Sequence, residues 1–119
     1  MITTWRIERM HIREFQQLMR RIYLRKDRER GVERTFVWLV EEVGELGRAL
    51  LKGDKQAIAN EAADVFAWLI SLCNLLDIDL EAASLTKYPG VCPRCGRVPC
   101  VCREPSGQRD SKQHMSHYD

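Results

Sequence analysis

Two short acidic runs could do chemistry: Glu41-Glu42-Val-Gly-Glu45 and Glu61-Ala-Ala-Asp64. Each contains two acids three residues apart, which on a helix are neighbours on one face. Carboxylates drawn together repel one another, so a gathered set takes up a proton or a cation. Hard oxygen ligands of this kind suit Mg²⁺ or Mn²⁺. Either pair alone is ordinary helical surface charge. The two together carry meaning if the fold makes them meet.

A second cluster is sulfur-based. Cys92-Pro-Arg-Cys95-Gly-Arg-Val-Pro-Cys100-Val-Cys102 puts four of the five cysteines within eleven residues. The Cys-x-x-Cys half is typical of zinc knuckles, and the Cys-x-Cys half is tighter than usual. Four thiolates can close a tetrahedral, structural Zn²⁺ site. Disulfides and redox-active thiols are the other readings. Cys73 lies in an apolar stretch and reads as core.

The acids meet only if helices place them. Apolar spacing at Phe15, Leu18, Met19 and Ile22 predicts a first helix from about residue 4 to 27, and Asp27 to Gly31 reads as a polar turn. A second helix is expected from about Glu33 to Lys52, with Phe36, Leu39, Val40, Val43, Leu46 and Leu50 as its apolar stripe. Gly44 and Gly47 inside it either allow a backbone or ligand to come close or are simply tolerated. Gly53 suits a helix C-terminus and Asp54 an N-cap. A third helix follows from about Lys55 to Leu76, with a stripe of Ile58, Ala62, Val65, Leu69, Leu72 and Leu76. So short a connection makes the second and third helices antiparallel neighbours. Asp79 caps a short fourth helix ending near Lys87, and Pro89-Gly90 breaks the pattern.

On that hairpin the acids converge. Glu42 and Glu45 lie roughly 90–150° to one side of their stripe, and Glu61 and Asp64 roughly 60–120° to the same rotational side of theirs. Counting from Gly53, Glu45 and Glu61 are each eight residues away, and Glu42 and Asp64 each eleven. Equal counts mean equal heights along antiparallel helices. Glu41 falls on the far side and is no direct ligand. Trp38 and Trp68 lie on the acid-bearing flanks, placed either to stack on a base or to pack at a core or subunit contact. Di-iron bundle proteins use Glu-x-x-His on paired helices. The three histidines here, His11, His114 and His117, lie outside both acid-bearing helices, which argues against di-iron.

The totals set the frame. At 119 residues and 45% hydrophobic content, the chain is one domain with a small core, so a second copy would add burial. The divisions expected are an all-helical domain over residues 1–88, a cysteine segment over 89–102 and a polar tail over 103–119. Net charge is only +2. Residues 1–34 carry ten Lys/Arg against five Asp/Glu, while residues 35–88 carry four against nine. No apolar run is long enough to span a membrane. The first residues lack the apolar stretch of a secretory signal, which points to the cytoplasm, where disulfides are uncommon.

The acidic pattern, Glu-Glu-x-x-Glu followed after a helix-turn gap by Glu-x-x-Asp, resembles the MazG-like nucleoside triphosphate pyrophosphohydrolases. The resemblance covers roughly residues 10–90 and is strongest over TFVWLVEEVGELGRALLKGDKQAIANEAADV, Thr35 to Val65. It implies an all-α fold in which this hairpin completes a four-helix bundle by dimerisation, giving homodimers or homotetramers. It implies Mg²⁺-assisted attack of water between the α and β phosphates of a ribo- or deoxynucleoside triphosphate, releasing a monophosphate and pyrophosphate. Carried over, Glu42, Glu45, Glu61 and Asp64 hold the metal. Independently of the family, a carboxylate at the rim, with Glu42 and Glu45 the candidates, can take the water's proton. Family members also place a lysine, then an asparagine and an arginine, after the last helix. Lys87 and Arg94 match the cations as phosphate ligands. Val91 stands in the asparagine position, and the cysteine segment replaces this end.

Two other functions compete. A nucleic-acid-binding module would use the knuckle with Arg20, Arg21, Arg25, Lys26, Arg28 and Arg30. The acidic patch opposes this by repelling phosphate when no metal is bound. A pure interaction protein would not need four intact acids.

Overall fold

The computed structural model describes residues 10–104, which contain four helices and, within that range, no strand. They are α1 (Ile12–Arg30), α2 (Val32–Lys52), α3 (Lys55–Leu75) and α4 (Leu80–Lys87). The chain separates into two compact units, Met1–Ser84 and Leu85–Asp119, the division falling within α4. Helix α1 starts at Ile12, later than expected, because His11 is extended and caps it. Residues 1–9 and most of the polar tail lie outside the described residues. No helix among those described is long and apolar enough to cross a membrane.

In the first unit α3 packs along α2 and against α1. The α2–α3 turn follows from its two residues. Gly53 closes α2 in the left-handed conformation, φ 76°, where a Cβ would be strained, and its N–H donates to the Ala49 carbonyl at 3.0 Å. Asp54 then caps α3, its carboxylate accepting from the Gln56 N–H at 3.1 Å.

The α1–α2 joint differs from the polar turn expected. Helix α1 continues to Arg30, and α2 begins directly after Gly31. Asp27 is 1% exposed and Thr35 0%. The Arg30 guanidinium donates to Asp27 Oδ1 at 2.8 Å and to Thr35 Oγ1 at 3.2 Å. The break is therefore bridged by Arg30, which pairs with Asp27 on α1 and reaches across to the buried Thr35 hydroxyl on α2.

Gln16 fastens the other end. Its side-chain amide donates to the Ile78 carbonyl at 2.6 Å and accepts from the Leu80 N–H at 3.1 Å. Asn74 donates to the Gln16 carbonyl at 3.2 Å. One buried glutamine thus ties α1 to the end of α3 and the start of α4. As expected, Asp79 caps α4, accepting from the Ala82 N–H at 3.1 Å, and it also pairs with Arg13 at 2.9 Å.

The apolar core is thin: among the described residues only Met19, Ala49, Ile70 and Cys73 are fully buried hydrophobics. Phe15 stacks on Phe66 with ring centres 5.1 Å apart. In α3 the most buried residues are Ile70, Ser71, Cys73 and Asn74, because its C-terminal half is covered by α1 as well as α2. The α2 stripe divides. Leu39 and Leu46 are half-buried, while Phe36, Val40, Val43 and Leu50 remain more than half exposed. That stripe is wider than one partner helix can cover.

Candidate functional site

The hairpin brings Glu42, Glu61 and Asp64 together. Each offers a carboxylate oxygen within 4.8 Å of the other two. Glu42 comes from the middle of α2, and Glu61 and Asp64 from successive turns of α3. Glu42 and Glu61 are half-buried and Asp64 is exposed. Partial burial, then the charges of Asp64 and Glu61, hold the Glu42 carboxyl above its usual range. Such crowding is what a cation or a proton relieves.

Glu45 is not among the three that converge. Its carboxylate pairs with Arg48 one turn along α2. It remains near enough to add to the raised pKa of Glu42. Glu41 is exposed.

Beside the acids lies a cleft of about 190 Å³, lined by Met19, Tyr23, Asp27, Arg30, Asp64, Ala67, Trp68 and Ser71. Asp64 thus belongs to both features. The Arg30 guanidinium lies over the Trp68 ring, 4.6 Å from its centre. Trp38 and Trp68 stack on each other with centres 5.9 Å apart and planes 17° from parallel. Trp38 covers one face of its partner across the hairpin, and Trp68 reaches the cleft.

Asp27 Oδ1 is held by Arg30, whereas Oδ2 is buried with no hydrogen-bond partner. An orphaned acceptor lining a cleft is costly unless something donates to it. Tyr23, Asp27 and Arg30 were not legible as cleft residues from the sequence. The signal for the joint is the Asp-x-x-Arg spacing, which by itself also fits a polar turn. Arg30 is consequently a different kind of cation from the exposed Arg21, Arg25 and Arg28 of α1.

In the second unit Lys87 ends α4 and Arg94 lies in the cysteine turn, both exposed. Cys92, Cys95, Cys100 and Cys102 gather so that their four sulfurs all lie within 4.8 Å of one another. All four are free thiols. The N–H groups of Cys95 and Arg94 pull the Cys92 thiol down to about 6. Hydrogen bonding to Cys100 and burial push Cys102 up to about 12. Cys73 is buried in α3, apart from this cluster in sequence, and burial pushes its thiol up.

No curated protein matches the chain. The MazG nucleotide pyrophosphohydrolase domain does match, over residues 30–96. That span contains the whole α2–α3 hairpin and its acids and exceeds half of the 119 residues. An all-α chain whose hairpin gathers acids within the matched region, with a cysteine cluster appended, belongs to the MazG nucleotide pyrophosphohydrolase family.

Proposed function

We propose that the chain hydrolyses nucleoside triphosphates between the α and β phosphates, releasing a monophosphate and pyrophosphate, with Mg²⁺ (or Mn²⁺) as cofactor. The observation that carries this reading is the convergence of Glu42, Glu61 and Asp64 beside an aromatic-walled cleft. Their all-oxygen donor set fits a hard divalent cation. Glu45 completes the set by releasing Arg48. When bound, the cation neutralises phosphate charge and makes water a better nucleophile.

The chain's own residues do the rest. A carboxylate at the rim of the cluster takes the water's proton. Tyr23 supplies an aromatic surface for the nucleoside, and Trp68, held between Trp38 and Arg30, adds its ring edge. Asp27 Oδ2 accepts from a hydroxyl or amino group of the substrate. Lys87 and Arg94 enter as phosphate-binding cations on the family pattern alone.

Association belongs to the same proposal. Phe36, Val40, Val43 and Leu50 fall on one face of α2 with Gly47 between them. Phe36 is 53% exposed in the single chain. A second copy covering this stripe would complete a four-helix core and add apolar burial that the single chain lacks.

The test is product analysis. Purified protein is incubated with a panel of ribo- and deoxynucleoside triphosphates and Mg²⁺, beside Asp64→Asn and a chelated control. Monophosphate plus pyrophosphate, lost in both controls, is expected. Diphosphate plus phosphate would mean that the wrong bond is assigned. No turnover by folded, metal-supplied protein would sink the enzymatic reading.

A further inference from the structure

The four cysteine sulfurs take no part in the proposed hydrolysis. Their segment has its own geometry and poses its own question: what holds it folded. Residues 88–104 contain no helix or strand. Val91, Val98 and Val101, its aliphatic side chains, are all exposed, Val98 at 71%. So short a piece cannot be fixed by apolar burial and needs a cross-link or a metal.

The sulfur positions distinguish these. Cys92 Sγ lies 3.8 Å from Cys102 Sγ, and Cys95 Sγ lies 3.9 Å from Cys100 Sγ. A disulfide needs about 2.0 Å. Four sulfurs bound at about 2.3 Å to one tetrahedral ion would stand about 3.8 Å apart, the edge of that tetrahedron. The two observed edges match this value, and the other four separations stay within 4.8 Å.

The backbone is arranged around the sulfurs. Gly96 takes φ 73° and donates its N–H to the Cys92 carbonyl at 2.8 Å, while the Cys92 N–H donates to the Arg97 carbonyl at 3.1 Å. This closes Cys92-Pro-Arg-Cys95-Gly into a tight turn, with glycine where a side chain would be strained. The Val101 N–H points to Cys95 Sγ at 3.4 Å and the Cys102 N–H to Cys100 Sγ at 3.3 Å. Such donors stabilise anionic sulfur. Arg94, Arg97 and Arg103, within the same stretch, offset the net negative charge of a divalent tetrathiolate.

We propose that Cys92, Cys95, Cys100 and Cys102 bind one Zn²⁺ as a closed four-thiolate site that folds residues 91–103. With four protein ligands there is no open position for water or substrate, so the ion is structural. Zinc is favoured because a mononuclear all-sulfur tetrahedron suits a soft-tolerant ion without redox chemistry. Binding releases the thiol protons and leaves the oxidation state of sulfur and metal unchanged.

The test uses the full chain purified under reducing conditions without chelator, and its readouts do not depend on hydrolysis. Elemental analysis should give one zinc per chain. Replacing zinc by Co²⁺ should give intense visible ligand-field bands and thiolate-to-metal charge transfer. Cys92→Ser and Cys100→Ser should each lose the metal while circular dichroism still reports the helices, which separates loss of the site from global unfolding. Retention of stoichiometric zinc by Cys100→Ser would overturn the four-thiolate assignment. Iron in place of zinc would overturn the choice of ion. A metal-free chain with reactive thiols, or one with disulfides in its mass spectrum, would overturn the site.

Discussion

Glu42 concentrates the site's electrostatics in one side chain. Its carboxyl is held above the usual range by partial burial and by two acidic neighbours, so ionising it costs the metal-free fold. The resulting stability is present at low pH, where Glu42 is protonated, and is lost as pH rises through its raised value. Glu42→Gln removes that cost. The variant should therefore be more stable than wild type without metal, by less than about 1 kcal/mol because solvent screens the repulsion. Its advantage should widen as pH rises through the carboxyl range. Added Mg²⁺ should raise the melting temperature of wild type in proportion to occupancy. The same addition should do little for the variant, whose affinity falls by at least about tenfold, the cost of losing even a supporting group around a metal. Thermal melts at several pH values, with and without Mg²⁺, check both signs. Equal melting curves for the two proteins would mean that these carboxylates are not coupled.

At the scale of elements, the turn between α2 and α3 was readable because Gly53 and Asp54 are local signals. Counting across it put Glu42 level with Asp64, and these two come together, whereas Glu45, counted level with Glu61, is not in that group. The joint between α1 and α2 was not readable, because its stability is a tertiary fact. Asp27, Arg30 and Thr35 look polar one at a time and become a buried unit only when α2 folds back and Trp68 arrives from α3. Rotamer choice is also beyond periodicity: helical spacing puts Glu45 on the acidic flank, but the pair with Arg48 turns it along α2. The joint has a measurable consequence. The Arg30 side chain is 20% exposed and that of Asp27 2%, so Arg30→Ala strands a buried carboxylate. Denaturant unfolding should show a loss of about 3 kcal/mol, the low end for a broken buried pair. Arg30→Lys should fall between, since it keeps charge but not the planar stack on Trp68. A loss within experimental error for the alanine variant would show that the joint is solvated.

For the whole molecule the decisive imbalance is between a thin core and a broad apolar helix. Val40 and Val43 are each about half exposed, and Leu51 is 90% exposed, on a helix that already packs against α3. Gly47 sits on that outer stripe, and a Cβ added there meets nothing within 4 Å. Inside a single chain the glycine therefore has no packing reason, and helix propensity alone favours replacing it by up to about 1 kcal/mol. If the stripe faces a second copy, the sign reverses, because a side chain at position 47 would hold the two helices apart. Gly47→Leu discriminates through that reversal. In a dimer joined at this face it should lower the melting temperature, weaken the dependence of melting on protein concentration, and shift light scattering toward the monomer mass. Val43→Arg, which places a charge on the same face, should do likewise. A Gly47→Leu protein that melts higher than wild type at every concentration, with unchanged mass, would remove α2 as the dimer seam.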